Sequence, residues 1–119
     1  MILVDTSVWI DHLRYGNPRL KELLLSESAA CHPFVIGELA CGNLGNRAET
    51  LSLMHALPSL PVAEDGEILY FIESHRLMGR GLGLVDIHLL ASAELGEASL
   101  WTLDKRLQKA ARELDLGGA

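Results

Sequence analysis

The 119-residue sequence is poor in cysteine and aromatic residues and has no long apolar run. Its two cysteines, Cys31 and Cys41, cannot form a disulfide framework or a four-ligand zinc site, and both are predicted to be small buried residues in a reducing cytoplasm. No uncharged stretch reaches the ~20 apolar residues of a membrane span. Asp5 follows the apolar start without a basic segment before it, so no secretory signal is expected.

The sequence also lacks an excess of basic residues. Lys and Arg number 10 against 16 Asp and Glu, which gives a formal net charge of −6. Proteins that bind nucleic acid through bulk charge usually have more Lys and Arg than acids. An apolar content of 49% is nevertheless ordinary for a globular protein and excludes global disorder.

The chain is predicted to form one α/β domain over residues 1–119, with a parallel sheet and helices on both faces. Apolar runs predict strands at 1–5, 29–32 and 98–103. Helical periodicity predicts helices at about 6–15, from 18, from 33, after 46, from 65, at 85–95 and after 104. Residues 58–62 are expected to form a turn with at most a short strand.

Local signals indicate where several helices begin. Thr6 or Ser7 is predicted to cap the first helix, and Asn17-Pro18 is a typical start of the second. Asn46 and Glu49 resemble a capping box. The glycines of residues 79–83 predict a helix-breaking loop, because the segment lacks the Lys-Ser/Thr of a phosphate-binding loop and follows no strand.

Most of the 16 acids have ordinary explanations, either a basic residue three or four positions away or a place at a helix start. Four do not fit these explanations. Asp5 and Asp104 end apolar strands, and ligands bind beyond the carboxyl ends of parallel strands. Glu38 has no basic residue at helical spacing, and Asp86 has apolar neighbours on both sides.

Two explanations for these four acids stay open. Asp5 and Asp104 could only cap the helices that follow them, and Asp86 could cap its own helix. Alternatively, the four converge on a cation that neutralises them, since an unpaired carboxylate in apolar surroundings is costly. Oxygen donors with little nitrogen or sulfur nearby favour Mg²⁺ or Mn²⁺. Such an ion, with waters in its shell, can hydrolyse a phosphodiester.

Four motifs in this order and spacing resemble those of the PIN-domain nucleases, namely Asp5-Thr6-Ser7-Val8-Trp9-Ile10, Glu38-Leu39, Asp86-Ile87 and Leu103-Asp104-Lys105-Arg106. Within that family they are most similar to the VapC toxins of bacterial and archaeal toxin–antitoxin pairs, and the resemblance extends from residue 1 to about 114. It implies a compact α/β/α sandwich with a short parallel central sheet. It also implies Mg²⁺- or Mn²⁺-dependent cleavage of single-stranded or structured RNA, whether tRNA, rRNA or mRNA.

The resemblance assigns roles residue by residue. An acidic quartet would bind the metal and act in catalysis, and its members are Asp5, Glu38, Asp86 and Asp104. Hydroxyl groups that orient ligands and water match Thr6 or Ser7, and Thr102. The pattern departs from many relatives only at the C-terminus, where a final edge strand is expected to be short or missing.

The resemblance also implies partners. The expected assembly is a homodimer that joins a small antitoxin, encoded beside it, in a hetero-oligomer. The C-terminal segment of the antitoxin would block the acidic site, and operator DNA would be bound only through the antitoxin. No membrane partner is implied.

A local basic surface could compensate for the overall charge. Without the four site carboxylates, the net charge would be close to neutral, at −2 instead of −6. Four basic residues within eight positions are candidates for RNA binding, namely Lys105, Arg106, Lys109 and Arg112. The alternative is that they form an ordinary solvated helix face.

Other functions are weaker matches. A phosphatase of the haloacid-dehalogenase type needs a second Asp two residues after Asp5, where Ser7 stands. A phosphoacceptor receiver domain needs an acidic pair after the first strand, which Asp5-Thr6 lacks. A catalytically silent antitoxin-binding module and a housekeeping RNA-processing nuclease both stay open.

Overall fold

The computed structural model describes residues 1–118, and Ala119, the last residue of the predicted domain, lies outside them. The described residues form three short strands, with one to four helices after each strand, seven helices in all. In chain order they are β1 (Ile2–Val4), α1 (Thr6–Tyr15), α2 (Pro18–Leu25), β2 (Ala29–Ala30), α3 (Pro33–Ala40), α4 (Arg47–His55), α5 (Asp65–His75), α6 (Leu84–Leu95), β3 (Ser99–Trp101) and α7 (Lys105–Glu113).

The strands form a parallel sheet in the order β2-β1-β3, with the first strand at its centre. Leu3 is in register with Ala30 on one side and with Leu100 on the other. The second and third strands are shorter than predicted. After β2, Cys31 pairs with Ser59 instead of β1. Residues 58–62 therefore hold a single bridge and not the turn that was expected there, since the turn lies just before them, at 56–57.

Both faces of the sheet are covered by helices, as predicted. Leu3 and Val4 are adjacent in β1, so their side chains point to opposite faces, and both are fully buried. Connections between parallel strands are almost always right-handed, and β2 and β3 lie on opposite sides of β1. The helices of the two connections therefore belong to opposite faces of the sheet. The α/β/α sandwich is therefore confirmed.

The two helices after the glycine loop differ in burial. In α6, residues 87–93 are all buried, so this helix crosses the core. In α7, Leu107, Ala110 and Ala111 are buried while the basic residues face outward, as the sequence pattern predicted. Nothing among the described helices has the length and apolar character needed to span a membrane.

Some local predictions were wrong. Asp5, not Thr6 or Ser7, is the N-cap of α1. Asn46 begins α4 in a left-handed conformation, with φ of 49°, and makes no side-chain capping bond. Cys31 is buried, and burial raises the pKa of its thiol to about 11, but Cys41 is exposed at the end of α3.

The glycine loop at residues 79–83 joins α5 to α6, as predicted. Gly79 and Gly81 have φ of 70° and 76°, a region that favours glycine. Arg80 forms an ion pair of 2.8 Å with Glu113 at the end of α7. The loop is thereby attached to the last helix, which positions the start of α6.

Candidate active site

The candidate site lies at the carboxyl ends of β1 and β3. The Asp5 N–H donates to the Trp101 carbonyl at 2.9 Å, so the pairing of the two strands continues one residue past Val4. The segment after β3 leads directly to Asp104. Parallel pairing therefore brings Asp5 and Asp104 to one edge of the sheet, as the sequence indicated.

Asp5 is the most buried of the four acids, with 7% of its surface exposed. Its Oδ2 accepts hydrogen bonds from the Ser7 hydroxyl at 2.7 Å and from the Thr102 hydroxyl at 2.8 Å. The Ser7 N–H adds a longer contact of 3.4 Å that caps α1. Oδ1 accepts no hydrogen bond from residues 1–118.

The same two hydroxyls also hold the segment after β3. Ser7 Oγ accepts from the Leu103 N–H at 3.0 Å, and Thr102 Oγ1 accepts from the Asp104 N–H at 3.0 Å. Each hydroxyl thus connects the Asp5 carboxylate to the backbone that carries Asp104. This network fixes one acid relative to the other, because a hydroxyl can donate and accept at once.

Asp104 and Asp86 are anchored by helix starts. Asp104 Oδ1 accepts from the N–H groups of Arg106 and Leu107, at 2.9 and 3.3 Å, and so caps α7. Asp86 Oδ2 accepts from the Gly83 N–H at 2.9 Å at the beginning of α6. The capping explanation for the three aspartates is therefore correct as far as it goes.

Glu38 reaches the site from α3. Its Oε1 accepts from the Thr6 hydroxyl at 2.6 Å, which connects α3 to the first turn of α1. Glu38 and Asp104 are exposed, whereas Asp5 is buried and Asp86 is half-buried. The expectation of apolar surroundings is correct for Asp5 and Asp86 and wrong for the other two.

Capping does not use up these carboxylates. In each of the four acids one oxygen is held by the protein, while the second accepts no hydrogen bond from residues 1–118. The two ion pairs among those residues, His75–Glu94 and Arg80–Glu113, involve none of the four. Four anions without a cationic partner therefore each keep a free oxygen.

The other three acids affect the pKa of Asp86. Burial raises the pKa of this carboxyl above its ordinary value, and the Gly83 N–H partly opposes that effect. The charges of Asp5, Asp104 and Glu38 raise it further. Like charges have this effect only at short range, so each of these three acids lies within electrostatic reach of Asp86.

The donor set fits Mg²⁺ or Mn²⁺ with one qualification. Among residues 1–118, no three His, Cys, Asp or Glu side chains converge closely enough to bind one ion directly. Mg²⁺ commonly keeps several waters and takes only one or two protein carboxylates. Direct binding by one or two of the free oxygens, and binding by the others through water, is compatible with this arrangement.

The surrounding polar residues follow the predictions unevenly. Ser7 and Thr102 both contact Asp5, while Thr6 contacts Glu38, so all three hydroxyls are used. Their three connections could not be read from the sequence, because they join residues far apart in the chain. The basic residues of α7 are exposed, and within residues 1–118 none of them forms an ion pair with the four acids.

Within residues 1–118 the histidines form no metal site with the acids. His32 and His88 are buried with ring centres 6.2 Å apart. Burial and the neighbouring His88 lower the pKa of His32 to about 4, so it is neutral at physiological pH. His32 is also the N-cap of α3, a role not predicted from the sequence, and its Nδ1 accepts from the Phe34 N–H.

Comparison with known proteins identifies relatives over nearly the whole chain. The PIN domain family model matches residues 2–113. Two curated proteins named Ribonuclease VapC32, from Mycobacterium tuberculosis strains CDC 1551 / Oshkosh and ATCC 25618 / H37Rv, are each 53% identical over 114 residues. The match covers 95% of this chain and 92% of each relative.

Two solved structures share the fold. FitAB bound to an IR36 DNA fragment has a TM-score of 0.65 at 22% identity, covering 94% of this chain and 91% of that one. FitAcB from Neisseria gonorrhoeae has a TM-score of 0.63 at 23% identity, covering 94% of both chains. At such identities the likeness concerns the fold alone.

The raised pKa of Asp86 predicts how its charge affects stability. An acid with a higher pKa in the folded state binds protons more readily when folded, so its ionisation destabilises the fold as pH rises through that window. Without divalent ions, Asp86→Asn should therefore raise the Tm at pH 7. The gain should shrink as the pH falls toward 4, which thermal unfolding in EDTA can measure.

Asp65→Asn is the control for this comparison. Asp65 is exposed in the first turn of α5, where the helix dipole favours a negative charge. This variant should leave the Tm at pH 7 unchanged or slightly lower. A Tm for Asp86→Asn at or below that of the wild type at pH 7 would contradict the raised pKa of Asp86.

Proposed function

The chain belongs to the PIN-domain family, among the VapC ribonucleases, and we propose from this premise that it is a Mg²⁺- or Mn²⁺-dependent endoribonuclease. In this proposal it acts as the toxin of a toxin–antitoxin pair and hydrolyses RNA phosphodiester bonds. The acidic quartet of Asp5, Glu38, Asp86 and Asp104 is its metal-binding and catalytic centre.

One observation carries the proposal. All four acids are oriented by the fold through one oxygen and leave the other without a hydrogen bond. Groups held by neighbouring donors in this way are typical of metal ligands, because the surrounding hydrogen bonds set the orientation of the ligand. Helix capping alone would explain the three aspartates but not the exposed Glu38, which lies within α3 and caps no helix.

The residues of the site divide into an inner and an outer pair. Asp5 and Asp86 are the less exposed acids, so water competes less for their carboxylates than for the other two. Glu38 and Asp104 are exposed and leave the site open to water and to an RNA phosphate. A bound divalent ion would polarise the phosphate and lower the pKa of the attacking water.

The partners in the proposal follow from the same family membership. We propose an assembly in which a homodimer joins the antitoxin and contacts operator DNA only through it. A reducing cytoplasm suits two cysteines that are both free thiols. The curated relatives named Ribonuclease VapC32 support a ribonuclease rather than a silent binding module.

The metal site gives a graded expectation for activity. Asp5→Asn should lower the RNA cleavage rate at least about 100-fold, because it replaces a candidate ligand. Ser7→Ala should lower it about 10- to 100-fold, since Ser7 orients Asp5 and groups of this kind commonly have effects of that size. Cleavage of a labelled single-stranded RNA, with and without EDTA, measures both effects.

Ser52→Ala is the matched control, because Ser52 is exposed on α4 and remote in sequence from the quartet. It should retain wild-type activity. Full activity in excess EDTA, or an Asp5→Asn enzyme as active as the Ser52→Ala control, would rule out the metal-dependent mechanism.

A groove that Glu38 of the quartet helps to line supports the antitoxin as partner. Its first part is lined by Ile10, Leu13 and Arg14 of α1 and by Glu38 of α3. A second part, between α1, α2 and α4, shares Leu13 and Thr50 with the first. Apolar side chains beside the Glu38 carboxylate fit a peptide that carries apolar residues and one cation.

We expect the antitoxin to place an Arg among the four carboxylates, since a guanidinium is always charged and can bridge two of them. Mg²⁺ should then compete with the C-terminal segment of the antitoxin and weaken inhibition in the millimolar range. Leu13→Glu should also raise the Kd for the antitoxin. Isothermal titration with the protein encoded beside the gene measures both effects.

Leu69→Glu is the matched control, because Leu69 is 66% exposed on α5 and does not border the groove. Its Kd for the antitoxin should stay close to that of the wild type. A complex in which the quartet is open to solvent, with inhibition insensitive to Mg²⁺, would refute this mode of silencing.

A further inference from the structure

Arg106 takes a position that its neighbours on the basic face of α7 do not share. If Gly81 carried a Cβ atom, that atom would lie 2.6 Å from Arg106 Nη1 and 3.2 Å from Cζ. The guanidinium therefore lies directly against the backbone of the glycine loop. Gly81, with φ of 76°, leaves the space that the Arg106 side chain occupies.

This contact places the guanidinium between the anchoring points of two acids. The backbone N–H of Arg106 donates to Asp104 at the start of α7. Gly81 precedes by two residues Gly83, whose N–H anchors Asp86 at the start of α6. The cation thus lies at the rim of the acidic site, on the side formed by these two helix starts.

Other arginines have different engagements. Arg80 pairs with Glu113, Arg19 lies 4.4 Å over the Trp101 ring, and Arg47 donates to the Gly42 carbonyl. Arg112 packs its aliphatic stem against Gly117. Arg106 forms no ion pair and donates no side-chain hydrogen bond within residues 1–118, so its guanidinium donors are available to an anion.

We propose that Arg106 is the positioning residue that binds an RNA phosphate beside the scissile bond. The inference rests on the proposed ribonuclease function and specifies how that site holds its substrate. A polyanion that approaches four carboxylates needs a cation nearby, and a guanidinium can donate two parallel hydrogen bonds to one phosphate. Contact with Gly81 holds this group against the glycine loop, beside the starts of α6 and α7.

The test is steady-state cleavage of a fluorescent 20-nucleotide single-stranded RNA by the full chain with Mn²⁺. Arg106→Gln should raise KM about tenfold and change kcat less than about twofold. The dependence of log kcat/KM on log salt concentration should become shallower by about 0.7, the value for one phosphate contact on a single strand. Lys21→Gln, which removes one exposed charge on α2, should leave KM and the salt slope unchanged.

Two glycine variants separate the position of the guanidinium from its charge. Gly81→Ala should displace the Arg106 side chain and raise KM as Arg106→Gln does. Gly79→Ala introduces the same kind of backbone strain, with φ of 70°, but its methyl group meets no atom within 4 Å. It should keep the wild-type KM. Combining Gly81→Ala with Arg106→Gln should add no further increase.

Equal KM and salt slope for Arg106→Gln and Lys21→Gln, in an assay where the wild type cleaves RNA, would overturn the role of Arg106 and leave the proposed function standing. A fall in kcat at unchanged KM would also overturn it, because a positioning residue acts on binding. A wild-type protein that cleaves no RNA with Mg²⁺ or Mn²⁺ would refute the proposed function itself, and the inference with it.

Discussion

The buried carboxylate of Asp5 is the interaction on which the site depends. It lies at the end of the central strand, where its backbone continues the pairing with β3 and its side chain caps α1. The hydroxyls of Ser7 and Thr102 both donate to its Oδ2 and both accept N–H groups from the segment that leads to Asp104. A buried anion is costly unless it is hydrogen-bonded. The bonds that offset this cost also fix the distance between two strand ends.

Because each aspartate of the quartet uses only one carboxylate oxygen to cap a helix, the same residue can also be a candidate metal ligand. A carboxylate has two oxygens, and a helix start needs only one of them. The fold therefore uses one oxygen of each acid for stability and leaves the other free. The consequence is a concentration of negative charge without a counter-ion, which adds to burial in raising the pKa of Asp86. Such an arrangement weakens the unliganded fold and favours the binding of a cation, since a ligand that binds only the folded state stabilises it.

Much of the fold could be predicted from local sequence signals. Asn17-Pro18 began α2 and Gly16 ended α1, because capping and backbone conformation depend on neighbouring residues. Because ligands bind beyond the carboxyl ends of parallel strands, the sequence also predicted that Asp5 and Asp104 lie at the same edge of the sheet. Links between distant parts of the chain could not be predicted, among them Thr6 with Glu38 and Arg106 with Gly81. They depend on how helices pack in three dimensions, which no local pattern encodes. For the same reason, the sequence could not predict which oxygen of each acid stays free.

If the free oxygens of the quartet form one divalent-cation site, anomalous scattering from crystals grown with Mn²⁺ should reveal the ion there. We expect a peak among the four acids, bound by the free oxygen of Asp5 or Asp86, while the hydrogen bonds to the anchored oxygens persist. Mn²⁺ found only elsewhere on the molecule at saturating concentration, with the quartet unchanged and bare, would show that the four acids are not a cation site.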